Sequence, residues 1–141
     1  MIKKILVAFD GSTKAYKAFE FALELTKVCS GISPDIIVLS VAQPPEPADI
    51  VEMDAIIDSA TQVYEKMFVD LRQKAKEKNI EIKTIVAVGH PADQIIRYAS
   101  ENSCDIIVMG QKGKSRIETW LMGSVSRRVA TYASCTVTIV K

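Results

Sequence analysis

The residues best placed to do chemistry in this 141-residue chain lie between Gly110 and Ser126, in the run GQKGKSRIETWLMGSVS. Gly110 and Gly113 follow an apolar run (106–109) that reads as a buried strand, and Gly123-Ser124 stand where a helix starts. Glycines lack the Cβ that keeps backbone N–H groups away from a phosphate, and they reach positive φ freely. A helix N-terminus adds unpaired N–H donors and partial positive charge. Ser124 is expected to cap that helix. Its hydroxyl and that of Ser126 are of the kind that bonds a phosphate oxygen or a metal-bound water. Lys112, Lys114, Arg116, Arg127 and Arg128 outweigh Glu118 nearby. An anionic ligand, a nucleotide first, suits this segment, although a solvated basic surface carries the same charge.

Such a loop needs a rigid frame. Apolar, β-branched runs at 5–9, 36–41, 82–88, 106–109 and 136–140 alternate with segments of helical period. The runs are apolar almost throughout, the pattern of parallel strands covered on both faces. The first helix is predicted from Ala15, Ala18, Phe19, Ala22 and Leu23, with Ser12 or Thr13 as its N-cap. The second is predicted from Ile56, Ile57, Ala60, Val63, Tyr64, Met67, Phe68 and Leu71. The third opens at Pro91 and turns Ala92, Ile95, Ile96 and Ala99 to one side. The last runs from about 124 to 133 through Val125, Val129 and Tyr132. All four stripes are expected to face the core. The order β-α-β-α-β-α-β-α-β predicts one domain over 1–141, a doubly wound α/β sandwich. Gln43-Pro44-Pro45-Glu46-Pro47 reads as a surface connection or a flap over a site. In open sheets of this class ligands bind beyond the carboxyl ends of the strands, where strand order reverses. That rule selects Asp10-Gly11-Ser12, Val41-Ala42, Gly89-His90-Pro91 and the segment from Gly110 onward.

Composition narrows the partners. A net charge of +1 gives no support to a nucleic-acid or membrane-surface binder. Cys29, Cys104 and Cys135 are odd in number and lack a C-x-x-C spacing. Neither a disulfide framework nor a zinc site is indicated, and free thiols in a reducing cytoplasm are expected. The first apolar run is too short for a signal segment, and no stretch approaches a membrane span. A cytoplasmic location is expected.

Neither common phosphate loop is present: there is no G-x-x-x-x-G-K-[ST] and no G-x-G-x-x-G after the first strand. The spacing Gly110-x2-Gly113-x9-Gly123-Ser124 instead resembles the ATP-binding motif of the universal stress protein family. The resemblance takes in the first strand and acidic turn (ILVAFDGS, 5–12), Val88-Gly89-His90-Pro91 and Gly123-Ser124-Val125-Ser126, and so covers effectively the whole chain. It implies a Rossmann-like (adenine nucleotide α-hydrolase-like) sheet of five parallel strands, ordered 3-2-1-4-5, with helices on both faces. It implies an adenine nucleotide, ATP first, with Mg²⁺ or Mn²⁺, at the switch point between the first and fourth strands. Carried over by position, Ala8, Phe9 and Asp10 would line the nucleoside side, and Val41 would pack on adenine. Met109 and Gly110 would border the ribose and α-phosphate, while Gly113, Gly123, Ser124, Val125 and Ser126 would hold the phosphates. The family's last strand commonly pairs antiparallel with its copy, so a homodimer through Thr136 to Val140 is expected. This β-branched edge carries no blunting charge before Lys141. Two departures stand out. Phe9 is bulkier than the residue expected there and would crowd the pocket or stack on a base. Thr136 replaces a frequent proline and keeps its N–H.

Several roles stay open in the sequence. Asp10 reads as a nucleotide contact, a cap near the first helix or a catalytic acid; a phosphoacceptor role fits poorly, without neighbouring acids. His90, the single histidine, reads as nucleotide-proximal or helix-capping. Trp120 and Met122 read as packing residues in the core or at a dimer contact. No general base or water-positioning residue is identifiable, so no catalytic residue is assigned. The function expected is an ATP-binding stress-response regulator, a homodimeric nucleotide-dependent sensor or switch with an unknown protein partner. The alternatives are a slow ATPase, an enzyme phosphorylating its own Ser124 or Ser126, and a dimerisation scaffold.

Overall fold

Five apolar runs form strands and the four periodic segments form helices in the computed structural model, which describes residues 1–29, 31–44, 49–111 and 123–141. The chain runs β1 (Lys4–Ala8), α1 (Thr13–Val28), β2 (Asp35–Ala42), α2 (Ile50–Lys76), β3 (Ile82–Val88), α3 (Pro91–Glu101), β4 (Ile106–Gly110), α4 (Ser124–Tyr132) and β5 (Thr136–Val140). All neighbouring strands are parallel, in the order β3-β2-β1-β4-β5.

Successive strand residues point to opposite faces, so each continuous apolar run feeds two cores. Ile5, Val7, Ile36, Val38, Ile106 and Val108 pack under α1 and α2 with Phe19 and Phe68. Leu6, Ile37, Leu39, Ile107 and Met109 pack under α3 and α4 with Ile95 and Val129. The predicted stripe of α1 is buried throughout.

Two predicted core faces are corrected. The second helix begins at Ile50, and its buried residues are Phe68, Leu71 and Ala75. Ile56 and Val63 are 40% and 48% exposed, and the buried residues of this long helix all lie in its second half. On the last helix Val129 is buried, but Tyr132 is 67% exposed and lies beside Arg128 at the surface. The edge strands β3 and β5 are only half-buried. The Val140 carbonyl accepts the Gln111 N–H, so alternation turns the backbone of Thr136, Thr138 and Val140 toward β4. The N–H groups on the open edge are therefore those of Val137 and Ile139, and the Thr136 N–H is not among them. Among the described residues no helix is long and apolar enough to cross a membrane.

Candidate functional site

The chain leaves β1 at the middle of the sheet for β2 on one side and, later, enters β4 on the other, which makes the β1/β4 boundary the switch point. Three backbone arrangements shape its rim. At the first, Phe9 is tied to β2 twice: its N–H donates to the Leu39 carbonyl at 2.9 Å, and its carbonyl accepts the Ser40 hydroxyl at 2.6 Å. Ser40 is fully buried within the strand, and this bond satisfies it. Gly11 then adopts φ 81°, a conformation that suits glycine. The Asp10 carboxylate accepts the Ser12 N–H at 2.9 Å, and the Ser12 hydroxyl accepts the Ala15 N–H at 3.1 Å. Asp10 thus holds the turn and Ser12, rather than Thr13, caps α1.

The second arrangement is Gly110. A Cβ there would meet Lys14 at 2.7 Å from its Cβ and 2.9 Å from its backbone carbonyl carbon and oxygen. The glycine lets the first turn of α1 lie against the end of β4. The close approach it allows is therefore to a helix of this chain, a reason the motif spacing does not reveal.

The third is the start of α4. Gly123 is the N-cap, at φ −61° and ψ 158°, with no side-chain capping bond. The expected roles shift by one residue: Gly123 caps, Ser124 is the first helical residue, and positive φ is not used at Gly123. The Gly123 N–H donates to the Gln111 carbonyl at 3.0 Å. The Ser126 hydroxyl, 97% buried with its residue, lies 2.8 Å from that carbonyl and 3.1 Å from the carbonyl of Gly123. It clasps the two flanks of the loop by donating to backbone oxygen.

These arrangements surround a cavity of about 410 Å³, within the range of small-ligand pockets. Ala8, Phe9, Asp10, Val41, Met109, Gly110, Gly123, Ser124, Val125 and Ser126 all line it. Gly113 lies outside the described residues, as do Trp120, Met122, Lys112, Lys114, Arg116 and residues 45–48 of the proline segment. The bulk of Phe9 goes into the core: its residue is 3% exposed and its ring meets Tyr16 edge-on at 4.9 Å. Arg128 is held away from a ligand role by Asp93, at 3.1 Å, and by the Tyr132 ring. His90 occupies the N-cap position of α3 without a side-chain capping bond, and its Nδ1 lies 3.9 Å from Asp93.

Sequence reasoning missed part of the lining. Ala60 and Tyr64 of α2, and Ile95 of α3, face the same space, beside Pro91 of the selected Gly89-His90-Pro91 segment. Their helical stripes read as core, and nothing in spacing separates a core face from a cavity wall. The Tyr64 phenol has its pKa raised, by burial first and then by the nearby Asp10 carboxylate. Among the described residues no three His, Cys, Asp or Glu converge as a metal cage.

The whole chain, residues 1–141, matches the model of the universal stress protein family. It is 30% identical to universal stress protein YxiE of Bacillus subtilis over the full length of both chains. The solved structure of MJ0577 from Methanocaldococcus jannaschii superposes with a TM-score of 0.84 at 26% identity, over 100% of this chain and 96% of that one. Two more distant structures share the fold. One is a universal stress protein in complex with cAMP (TM-score 0.65, 22% identity, 99% and 97% covered). The other, from Archaeoglobus fulgidus, is in complex with dAMP (TM-score 0.67, 18% identity, 100% and 98% covered). A 3-2-1-4-5 parallel sheet, a ligand-sized cavity at its switch point and a match running from the first residue to the last agree: this chain belongs to the universal stress protein family.

Proposed function

We propose that this chain is a cytoplasmic, homodimeric regulator that binds ATP or another adenine nucleotide in the switch-point cavity and changes its partner interactions with occupancy. One observation carries the reading: the N-terminus of α4, which has no side-chain cap, and the end of β4 meet an apolar, carboxylate-bearing recess in a single cavity. The first-turn N–H groups of α4 suit phosphate oxygens. Leu39, Val41 and Met109 suit a base, and Asp10 suits an amine or a ribose hydroxyl. Relatives of the same fold in complex with cAMP and dAMP support an adenine nucleotide.

A divalent ion enters this reading as the nucleotide's counter-ion. Mg²⁺ keeps much of its water and is commonly bound through substrate phosphates plus one or two carboxylates. Among the described lining residues Asp10 is the acid that could contribute. The ion would neutralise phosphate charge there. Dimerisation through β5 uses the outward N–H groups of Val137 and Ile139.

The test is differential scanning calorimetry with ATP and Mg²⁺, together with light scattering for the dimer. At 100 times Kd the ligand stabilises the fold by about 2.7 kcal/mol. A dimer whose melting ignores every adenine nucleotide returns the chain to a scaffold. A second reading, autophosphorylation, is favoured by one residue: Ser124 is exposed and lines the cavity, whereas the Ser126 hydroxyl is held by backbone oxygens. Mass spectrometry after incubation with ATP decides it, and an unmodified chain removes it.

A further inference from the structure

The cavity has a wall that the glycine motif does not supply. Ala60 and Tyr64, one turn apart on α2, line it together with Asp10. The Tyr64 ring stacks on Phe68, with centroids 6.5 Å apart and planes at 21°. Phe68 is itself fully buried, so the ring direction is anchored from the core side. The first half of α2 has much less holding it. Ile50 and Val51 are each 78% exposed, Ile56 and Val63 are exposed as well, and the helix's buried residues all lie beyond Tyr64. Segments with few buried apolar contacts open at low free energy.

We propose that the nucleoside of the bound nucleotide packs against Tyr64 and Ala60, and that this contact orders the first half of α2, residues 50–63, as the cavity fills. The inference rests on the nucleotide reading above. A base presents a π face that an aromatic side chain accepts. A ligand that prefers the ordered helix shifts its opening equilibrium by that difference in affinity. Ile50, Val51, Ile56 and Val63 carry the exposed apolar area of this half.

Hydrogen–deuterium exchange with and without ATP and Mg²⁺, run beside calorimetric titration, tests this on the wild type, Tyr64→Ala and Tyr64→Phe. In the wild type, saturating ATP slows exchange across residues 53–64 about tenfold, ~1.4 kcal/mol. Tyr64→Ala binds ATP about tenfold more weakly and loses the protection even at saturation. Tyr64→Phe keeps the ring and restores both. Calorimetric saturation with unchanged exchange over α2 overturns the inference while leaving the nucleotide site standing. Wild-type affinity and protection in Tyr64→Ala overturn it too. No heat with ATP in the wild type removes the nucleotide reading and this inference together.

Discussion

Two helices begin on the rim of the same cavity, and they begin differently. The start of α1 is closed: Asp10 holds the Ser12 N–H and Ser12 caps Ala15. The start of α4 has a glycine N-cap with no side-chain bond, and Ser126, within its first turn, turns its hydroxyl back to backbone oxygen. A capped helix has already satisfied part of its N-terminal donor set, whereas an uncapped one offers it to a ligand. On the nucleotide reading proposed above, the difference favours α4 as the helix start that takes the phosphate, while Ser12 and Ala15 at the start of α1 line the cavity with their donors already engaged. Between them stands Gly110, whose missing Cβ sets how near α1 lies to the end of β4.

Substitutions can break this comparison. The largest effect is expected from Gly110→Ala, because the new Cβ meets Lys14 backbone at 2.9 Å, where little can give. Overpacking of this kind costs about 2–3 kcal/mol, read as a lower denaturation midpoint, and nucleotide affinity falls with it as the rim is pushed apart.

Next is Ser124→Glu. An acid in the first turn suits the helix dipole and leaves melting unchanged or raised by about 0.5 kcal/mol. Set against phosphate, the same charge weakens ATP at least tenfold, ~1.4 kcal/mol. Stability and affinity moving in opposite directions is the signature of an open start. Parallel loss of both would make Ser124 a structural residue instead.

The partner variant is Ser12→Ala. Loss of the cap costs about 1 kcal/mol in urea unfolding, with ATP affinity at a given folded concentration unchanged. A large affinity loss there would mean that α1 also takes part in binding.

The smallest effect lies at the opposite end of the sheet. The Asp105 carboxylate accepts the N–H groups of Lys3 and Lys4 at 2.7 and 2.9 Å, which hold its pKa below the ordinary 3.8. A carboxylate with a depressed folded pKa contributes stability above its unfolded value and loses it as pH falls through the folded one. Asp105→Asn should therefore flatten the acid limb of the stability profile below about pH 4, leaving ATP affinity untouched. An unaltered limb would assign acid unfolding to other groups, with Glu24, lowered by Lys78 and Lys27, the next to replace.

Much of this architecture was legible in residue types. Apolar runs too continuous for a one-sided sheet announced parallel strands, and Ala15, Ala18, Phe19, Ala22 and Leu23 announced the buried side of α1. The ten described candidate residues came as a set from the resemblance to the universal stress protein family, and all ten line the cavity. What went unread has a common cause. A stripe such as Ile56, Val63 and Phe68 looks the same whether it meets a sheet, a cavity or water, since periodicity says which residues share a side and not what stands opposite. The first half of α2 met no core, and Tyr64 met the cavity.

Glycine gave the same lesson more sharply. Its type marked positions 110 and 123 as unusual, yet Gly110 is needed for contact with Lys14 and Gly123 has an ordinary φ. The sequence by itself determined the order of elements and the parallel sheet, which follow from local patterning, and through its motif spacing the family and the residues which that resemblance gathers at the switch point. Only the tertiary structure decided that Asp10 and Ser12 close one helix start while Gly123 leaves the other without a side-chain cap. It alone decided that Ser126 clasps the loop and that α2 supplies a wall. Each of those depends on a through-space approach, and residue type and spacing carry no record of distance.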